Sequence, residues 1–81
     1  MSNNKKILIT EFINQNSFEH LNKKFDVRYD EKLCENENEI TKIIKDYDGL
    51  IVRNKTQVNS NILKNALKLK FIGRLGIGLD N

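Results

Sequence analysis

The chain has 81 residues, of which 38 % are hydrophobic and 31 % charged, and its formal net charge is +3. This length suits one small domain. No apolar run approaches the roughly 20 residues that cross a membrane, and the lysines are mixed with acidic residues instead of forming a nucleic-acid-binding face. We therefore predict a cytoplasmic protein that binds neither a membrane nor nucleic acid. One cysteine and one histidine are too few for a structural zinc site, so no metal site is predicted.

Strand-like and helix-like patterns alternate along the chain. Four short runs rich in apolar residues have the length of strands: 6–10, 25–30, 49–54 and 70–76. Three segments between them place apolar residues at helical spacing: 16–25, 36–49 and 59–70. The order β-α-β-α-β-α-β predicts an α/β fold with a parallel sheet and right-handed crossovers.

The ends and faces of these elements can also be predicted. Asn16 or Ser17 is expected to cap the first helix, Asn36 the second and Asn59 the third. The second strand alternates apolar and polar residues, which is typical of a half-exposed edge strand. The third helix should bury one apolar face, formed by Ile62, Leu63, Ala66 and Leu67.

Two arginines lie at the ends of predicted strands. In an open parallel sheet, ligands bind at the carboxyl ends of the strands. Arg53 and Asn54 end the third predicted strand, and Arg74 lies at the end of the fourth beside glycines. A guanidinium group matches a carboxylate or phosphate in a bidentate pair, so these residues predict a site for a small anion. Two structural alternatives stay open: Arg53 as a helix cap and Arg74 paired with Asp80.

Other reactive residues give weaker signals. Cys34 lies in the acidic stretch EKLCENENE, and acidic neighbours disfavour a reactive thiolate. His20 lies on the first predicted helix and is expected to be a surface residue. The C-terminal GIGLDN begins like a dinucleotide-binding fingerprint but has Asn81 where the third glycine belongs, and no helix follows it.

The second half of the chain carries a specific series of motifs. In order, these are an Asp-Gly-Leu-Ile-Val-Arg strand, a Thr-x-Val helix entry, a Leu-Lys-x-Ile-Gly-Arg strand and a Gly-x-Gly-x-Asp-Asn end. With them, residues 46–81 resemble the N-terminal substrate-binding domain of the D-isomer-specific 2-hydroxyacid dehydrogenases. Within that family the pattern is most similar to the D-3-phosphoglycerate dehydrogenases, which act in serine biosynthesis. The first half matches in element order only.

The resemblance implies a flavodoxin-like domain that binds a small anionic 2-hydroxy acid. It implies that Arg53, Asn54, Arg74 and Gly76 contact this substrate. Asn54 stands where relatives often carry Ser, and Leu75 where many carry Ala, so the choice of 2-hydroxy acid stays open.

The resemblance also concerns the cofactor, which in this family is NAD. It implies that Ile77 and Gly78 lie near NAD, which is bound mainly by a separate domain absent from these residues. Residues 1–81 would then be the N-terminal part of the substrate-binding domain, without any catalytic residue of their own. We expect this fragment alone to be inactive and poorly soluble, and the full-length protein to be a homo-oligomer.

A second class of function remains open beside the dehydrogenase. The chain could be a non-catalytic flavodoxin-like module that binds an anion or a partner protein. A receiver domain of response regulators has the same element order, but it needs acidic residues at the ends of strands one and three. Arg53 at the end of strand three opposes that interpretation.

Overall fold

The computed structural model describes residues 4–74, so the predictions for Gly76, Ile77, Gly78 and Asp80 lie outside the described residues. The four strands are β1 (Lys6–Ile9), β2 (Asp26–Tyr29), β3 (Gly49–Val52) and β4 (Phe71–Arg74). The three α-helices are α1 (Gln15–Lys24), α2 (Glu37–Ile43) and α3 (Ser60–Asn65). Short 3-10 turns span Glu31–Glu35 and Ile44–Asp46.

All four strands are parallel and lie in the order β2-β1-β3-β4. These are the first four positions of the flavodoxin-like order 2-1-3-4-5. Leu8 pairs with Leu50 at the centre of the sheet, and Ile51 pairs with Gly73 towards β4. The predicted α/β fold is confirmed, and so is the position of β2 at an edge.

Helices cover the sheet on two sides, which explains why β1 and β3 are apolar on both faces. One face packs against α1, and the hydrophobic core on this side contains the buried residues Ile7, Ile9, Ile13 and Ile51. The other face packs against α2, α3 and the 3-10 turns. The hydrophobic core on this side contains the buried residues Leu8, Leu33, Ile40, Ile44, Tyr47, Leu50, Val52 and Ile62. No helix in residues 4–74 is long and apolar enough to span a membrane.

The helix caps agree with the sequence at two of three positions. The side chains of Asn36 and Asn59 accept hydrogen bonds from the third residues of α2 and α3, as predicted. The predicted cap of α1 was wrong, because the cap is Asn14, whose Oδ1 atom accepts the Ser17 amide at 2.8 Å. Asn16 and Ser17 therefore lie within the first turn of the helix.

The third helix is shorter than the apolar spacing predicted. It ends at Asn65, and Ala66 leaves the helical region with φ −89° and ψ 69°. Leu67 therefore lies beyond the helix and is 79 % exposed, while Leu63 is 49 % exposed. Of the predicted face, Ile62 is buried and Ala66 packs beside it, so the prediction was wrong for the two leucines.

Candidate functional site at the carboxyl ends of the strands

The two predicted arginines meet at the carboxyl ends of β3 and β4. Arg53 directly follows β3, and Arg74 is the last residue of β4. The Nε atom of Arg74 donates a hydrogen bond of 3.0 Å to the backbone carbonyl of Arg53. This contact joins the ends of two neighbouring strands, so the structure brings together two residues 21 positions apart in the chain.

Arg53 lines a cleft beside the end of β1. Its Nη1 atom donates a hydrogen bond of 3.1 Å to the carbonyl of Phe12, which holds the guanidinium group against the loop after β1. The cleft has a volume of about 440 Å³, and its lining residues are Glu11, Phe12, Glu31, Lys32, Cys34, Glu35, Arg53, Asn54 and Lys55. The lining carries charges of both signs beside the ring of Phe12, which suits a small charged ligand.

Arg74 lines a second cleft of about 390 Å³, which includes Asn54, Thr56 and Gln57 of the segment after β3. Asn54 lines both clefts, so one residue borders the cleft of Arg53 and the cleft of Arg74. The structure therefore groups three of the four predicted substrate-binding residues around one loop. The fourth, Gly76, lies outside the described residues.

Glu11 is the central residue of this region, and the sequence interpretation missed it. The residue is only 3 % exposed although it carries a carboxylate. Its Oε1 atom accepts the backbone amides of Asn54 at 3.1 Å and Lys55 at 3.0 Å. Its Oε2 atom accepts those of Arg53 at 3.0 Å and Thr56 at 2.6 Å. Four consecutive amides therefore converge on one side chain.

These hydrogen bonds control the charge of Glu11. Burial of the carboxyl group raises its pKa, but the hydrogen bonds from the backbone of Arg53, Lys55 and Thr56 outweigh burial and lower the pKa to about 2. Glu11 is therefore a carboxylate throughout the physiological range. A buried charge is stabilised only when it is paired or hydrogen-bonded, and here the amides of the loop fulfil that role.

A second contact joins the same two segments. The hydroxyl oxygens of Thr10 and Thr56 lie 2.8 Å apart, and both residues are buried. The end of β1 is thus connected to segment 53–56 through Thr10, Glu11 and Phe12 in succession. One sequence signal could have identified Glu11: it is a charged residue just beyond a buried strand, at the edge of the sheet where ligands bind.

Cys34 and His20 behave as the sequence predicted. Burial raises the pKa of the Cys34 thiol, and the negative charges of Glu11 and Glu35 raise it further. Burial is the larger cause of the raised pKa, whereas the sequence indicates only the acidic neighbours. His20 is exposed on α1 and lines a shallow groove with Ile51, apart from the two arginines.

The described residues were also compared with the side-chain groupings that bind metal ions. Between residues 4 and 74, no three side chains of His, Cys, Asp or Glu are grouped as metal ligands. The glycine-rich end, with Ile77 and Gly78, lies outside that part of the chain.

The fold is an α/β domain in which two arginines meet at the carboxyl ends of neighbouring parallel strands. Residues 7–81 match the family described as D-isomer specific 2-hydroxyacid dehydrogenase, catalytic domain. The chain belongs to this family, as its motifs predicted.

Several relatives share this similarity over nearly the whole chain. D-3-phosphoglycerate dehydrogenase of Methanocaldococcus jannaschii is 37 % identical over 76 residues, covering 94 % of this chain and 14 % of the relative. D-3-phosphoglycerate dehydrogenase of Synechocystis is 36 % identical over 76 residues, covering 94 % of this chain and 13 % of the relative. The (S)-sulfolactate dehydrogenase of Chromohalobacter salexigens is 33 % identical over 75 residues, covering 93 % of this chain and 24 % of the relative.

A solved structure agrees with the fold. The crystal structure of the PH0520 protein from Pyrococcus horikoshii OT3 superposes with a TM-score of 0.76 at 28 % sequence identity. The match covers 86 % of this chain and 20 % of that protein. The chain therefore spans less than a quarter of the length of each of these proteins.

Proposed function

We propose that residues 1–81 form the N-terminal part of the substrate-binding domain of an NAD-dependent 2-hydroxyacid dehydrogenase. In this proposal, Arg53, Asn54 and Arg74 hold the anionic part of a D-2-hydroxy acid. The observation that carries the proposal is the hydrogen bond from Arg74 Nε to the carbonyl of Arg53, which brings both arginines to the carboxyl edge of the sheet. Ligands of parallel α/β sheets bind at this edge.

The guanidinium groups have the capacity to bind an anion. The hydrogen bonds of Arg53 to Phe12 and of Arg74 to Arg53 each use one of five N–H donors. The remaining donors form a planar fork that matches the two oxygens of a carboxylate or phosphate. Because the two arginines line different clefts that meet at Asn54, they suit a substrate with two anionic groups.

D-3-phosphoglycerate is the substrate we propose. It carries a carboxylate and a phosphate, one for each guanidinium group. The similarity to relatives named D-3-phosphoglycerate dehydrogenase supports this choice, and the whole protein would then act in serine biosynthesis. Relatives named sulfolactate dehydrogenase and hydroxypyruvate reductase define the two competing substrate classes.

Catalysis needs more than the described residues provide. Hydride transfer requires the nicotinamide of NAD to be held against the substrate carbon. We propose that Gly76 contacts the substrate and that Ile77 and Gly78 lie near the cofactor, which a domain outside these 81 residues would mainly bind. The chain alone should therefore bind substrate weakly and should not reduce NAD.

The test is a titration of D-3-phosphoglycerate into the isotope-labelled chain, followed by amide chemical shifts. Arg53→Ala and Arg74→Ala should each weaken binding by about tenfold or more, since a hydrogen bond to a charged group contributes about 1.5–3 kcal/mol. Arg28→Ala is the matched control, because it removes the same charge from an exposed position on the edge strand β2. Equal losses in all three variants, or no saturable binding to the wild-type chain, would contradict the proposal.

A further inference from the structure

We propose that Glu11 is the positioning residue of the anion site. Its carboxylate fixes segment 53–56 and thereby sets the directions in which Arg53 and Asn54 face the ligand. This inference rests on the proposed function, because it concerns how the same site binds its anion. Glu11 does not contact the ligand in this arrangement and acts only through the loop.

Glu11 fixes the backbone of the whole segment 53–56. Arg53, Asn54, Lys55 and Thr56 all donate their backbone amides to Glu11, at distances between 2.6 and 3.1 Å. Four bonds to one rigidly buried group fix the backbone of every residue in the segment. The side chain of Arg53 is fixed further by its bond to the carbonyl of Phe12, the residue after Glu11.

The loop amides are closed to an incoming anion. Successive backbone amides that point at one place form an anion-binding concavity. In this chain the carboxylate of Glu11 already fills that place and is almost fully buried. A ligand anion is therefore directed to the guanidinium groups of Arg53 and Arg74 instead of the loop amides.

Positioning and simple electrostatics predict opposite results, which makes the inference testable. A carboxylate near an anion site repels the ligand, so removing its charge should strengthen binding by Coulomb's law. If Glu11 instead positions the loop, removing its charge should weaken binding. Glu35 offers a matched control, since it is an exposed carboxylate that lines the same cleft.

The experiment compares D-3-phosphoglycerate binding to the wild-type chain, Glu11→Gln, Glu11→Asp and Glu35→Gln. We expect Glu35→Gln to bind as tightly as wild type or up to about twofold tighter, because it removes a screened surface charge. Glu11→Gln should bind about fivefold or more weakly, since it loses the charge that holds several amides. Glu11→Asp, which keeps the charge on a shorter side chain, should fall between wild type and Glu11→Gln.

The outcomes separate the two proposals. If the wild-type chain binds the ligand but Glu11→Gln binds it equally or more tightly, the role of Glu11 is overturned and the proposed function stands. If the wild-type chain does not bind the ligand, the proposed function is overturned, and this inference with it.

A second measurement needs no variant and covers the case in which Glu11→Gln does not fold. During titration of the wild-type chain, the side-chain N–H signals of Arg53 and Asn54 should shift most. The backbone amides of Lys55 and Thr56 should shift least, because Glu11 already occupies them. Largest shifts at those two amides would mean that the ligand displaces Glu11, and this would overturn the inference.

Discussion

The carboxylate of Glu11 accepts a hydrogen bond of 2.6 Å from the backbone amide of Thr56, which lies 45 residues further along the chain. This contact joins the end of β1 to the loop after β3, the two central strands of the sheet. The loop that carries Arg53 and Asn54 is thus held by a titratable group. Stability and ligand binding should therefore share a dependence on Glu11.

The first prediction is that Glu11 stabilises the fold and that acid removes this contribution. Its pKa is about 2 in the folded chain, below the ordinary value of 4.5. A lowered pKa adds stability that is fully present above pH 4.5 and is lost as the pH falls towards 2. At neutral pH, Glu11→Gln should lower the free energy of unfolding by about 2 kcal/mol or more, as expected for buried amides that lose a charged acceptor.

Urea unfolding of both proteins between pH 2 and 7 tests this prediction. The difference in unfolding free energy should be largest above pH 4.5 and should shrink towards pH 2. The pKa of Asp48 is also lowered, mainly by a hydrogen bond from the Lys6 amide, so the contribution of Asp48 to the stability of the chain is also lost in acid. This loss occurs in both proteins, so the difference isolates Glu11. A difference that stays constant with pH would contradict the prediction.

The second prediction concerns the buried hydroxyl pair. Thr10→Val or Thr56→Val leaves the other hydroxyl without its partner 2.8 Å away, which should destabilise the chain by about 1–3 kcal/mol. The double variant replaces both partners by groups of the same shape, so it should lose less than the sum of the two single variants. Thermal or urea unfolding of the wild type, the two single variants and the double variant completes the double-mutant cycle. Strict additivity would show that the two hydroxyls do not interact.

The third prediction concerns the close approach of side chains to Gly49. A Cβ atom at this position would meet the Phe71 ring and lie 2.7 Å from Cδ1 of Ile7, which is fully buried. Gly49→Ala should therefore destabilise the chain by about 1–3 kcal/mol through overpacking. Gly73→Ala on β4 is the control, because its Cβ would meet only the end of the Ile51 side chain at 2.9 Å. An equal loss at both positions would contradict this explanation.

The fourth prediction concerns the reactivity of Cys34. Burial first, and then the charges of Glu11 and Glu35, raise its pKa above the ordinary value of 9.0. Because the thiolate is the nucleophile, alkylation by iodoacetamide at pH 8 should be slower than that of a free thiol. Glu35→Gln removes one of the charges and should accelerate the reaction. A rate that rises to half its maximum at or below pH 9.0 would contradict the prediction.

The sequence predicted the strands and the alternation of strands and helices along the chain well because the relevant signals are local. An apolar run such as that of β3 has no polar face, which indicates a strand covered by helices on both sides. Arg53 and Arg74 could be placed because each comes at the end of its strand, and parallel strands end at the same edge. The length of α3 could not be read in the same way, since apolar spacing continues to Leu67 although the helix ends at Asn65.

The α/β class, the family and the two arginines at the strand ends follow from the sequence alone, because periodicity and motifs are properties of neighbouring residues. The partners of Glu11, by contrast, become visible only in the folded chain. They are backbone amides 42 to 45 residues away, and every residue except proline carries such an amide. The residue types in segment 53–56 do not indicate that these amides will donate to a carboxylate. It is the folding of the sheet that brings Glu11 and the loop together.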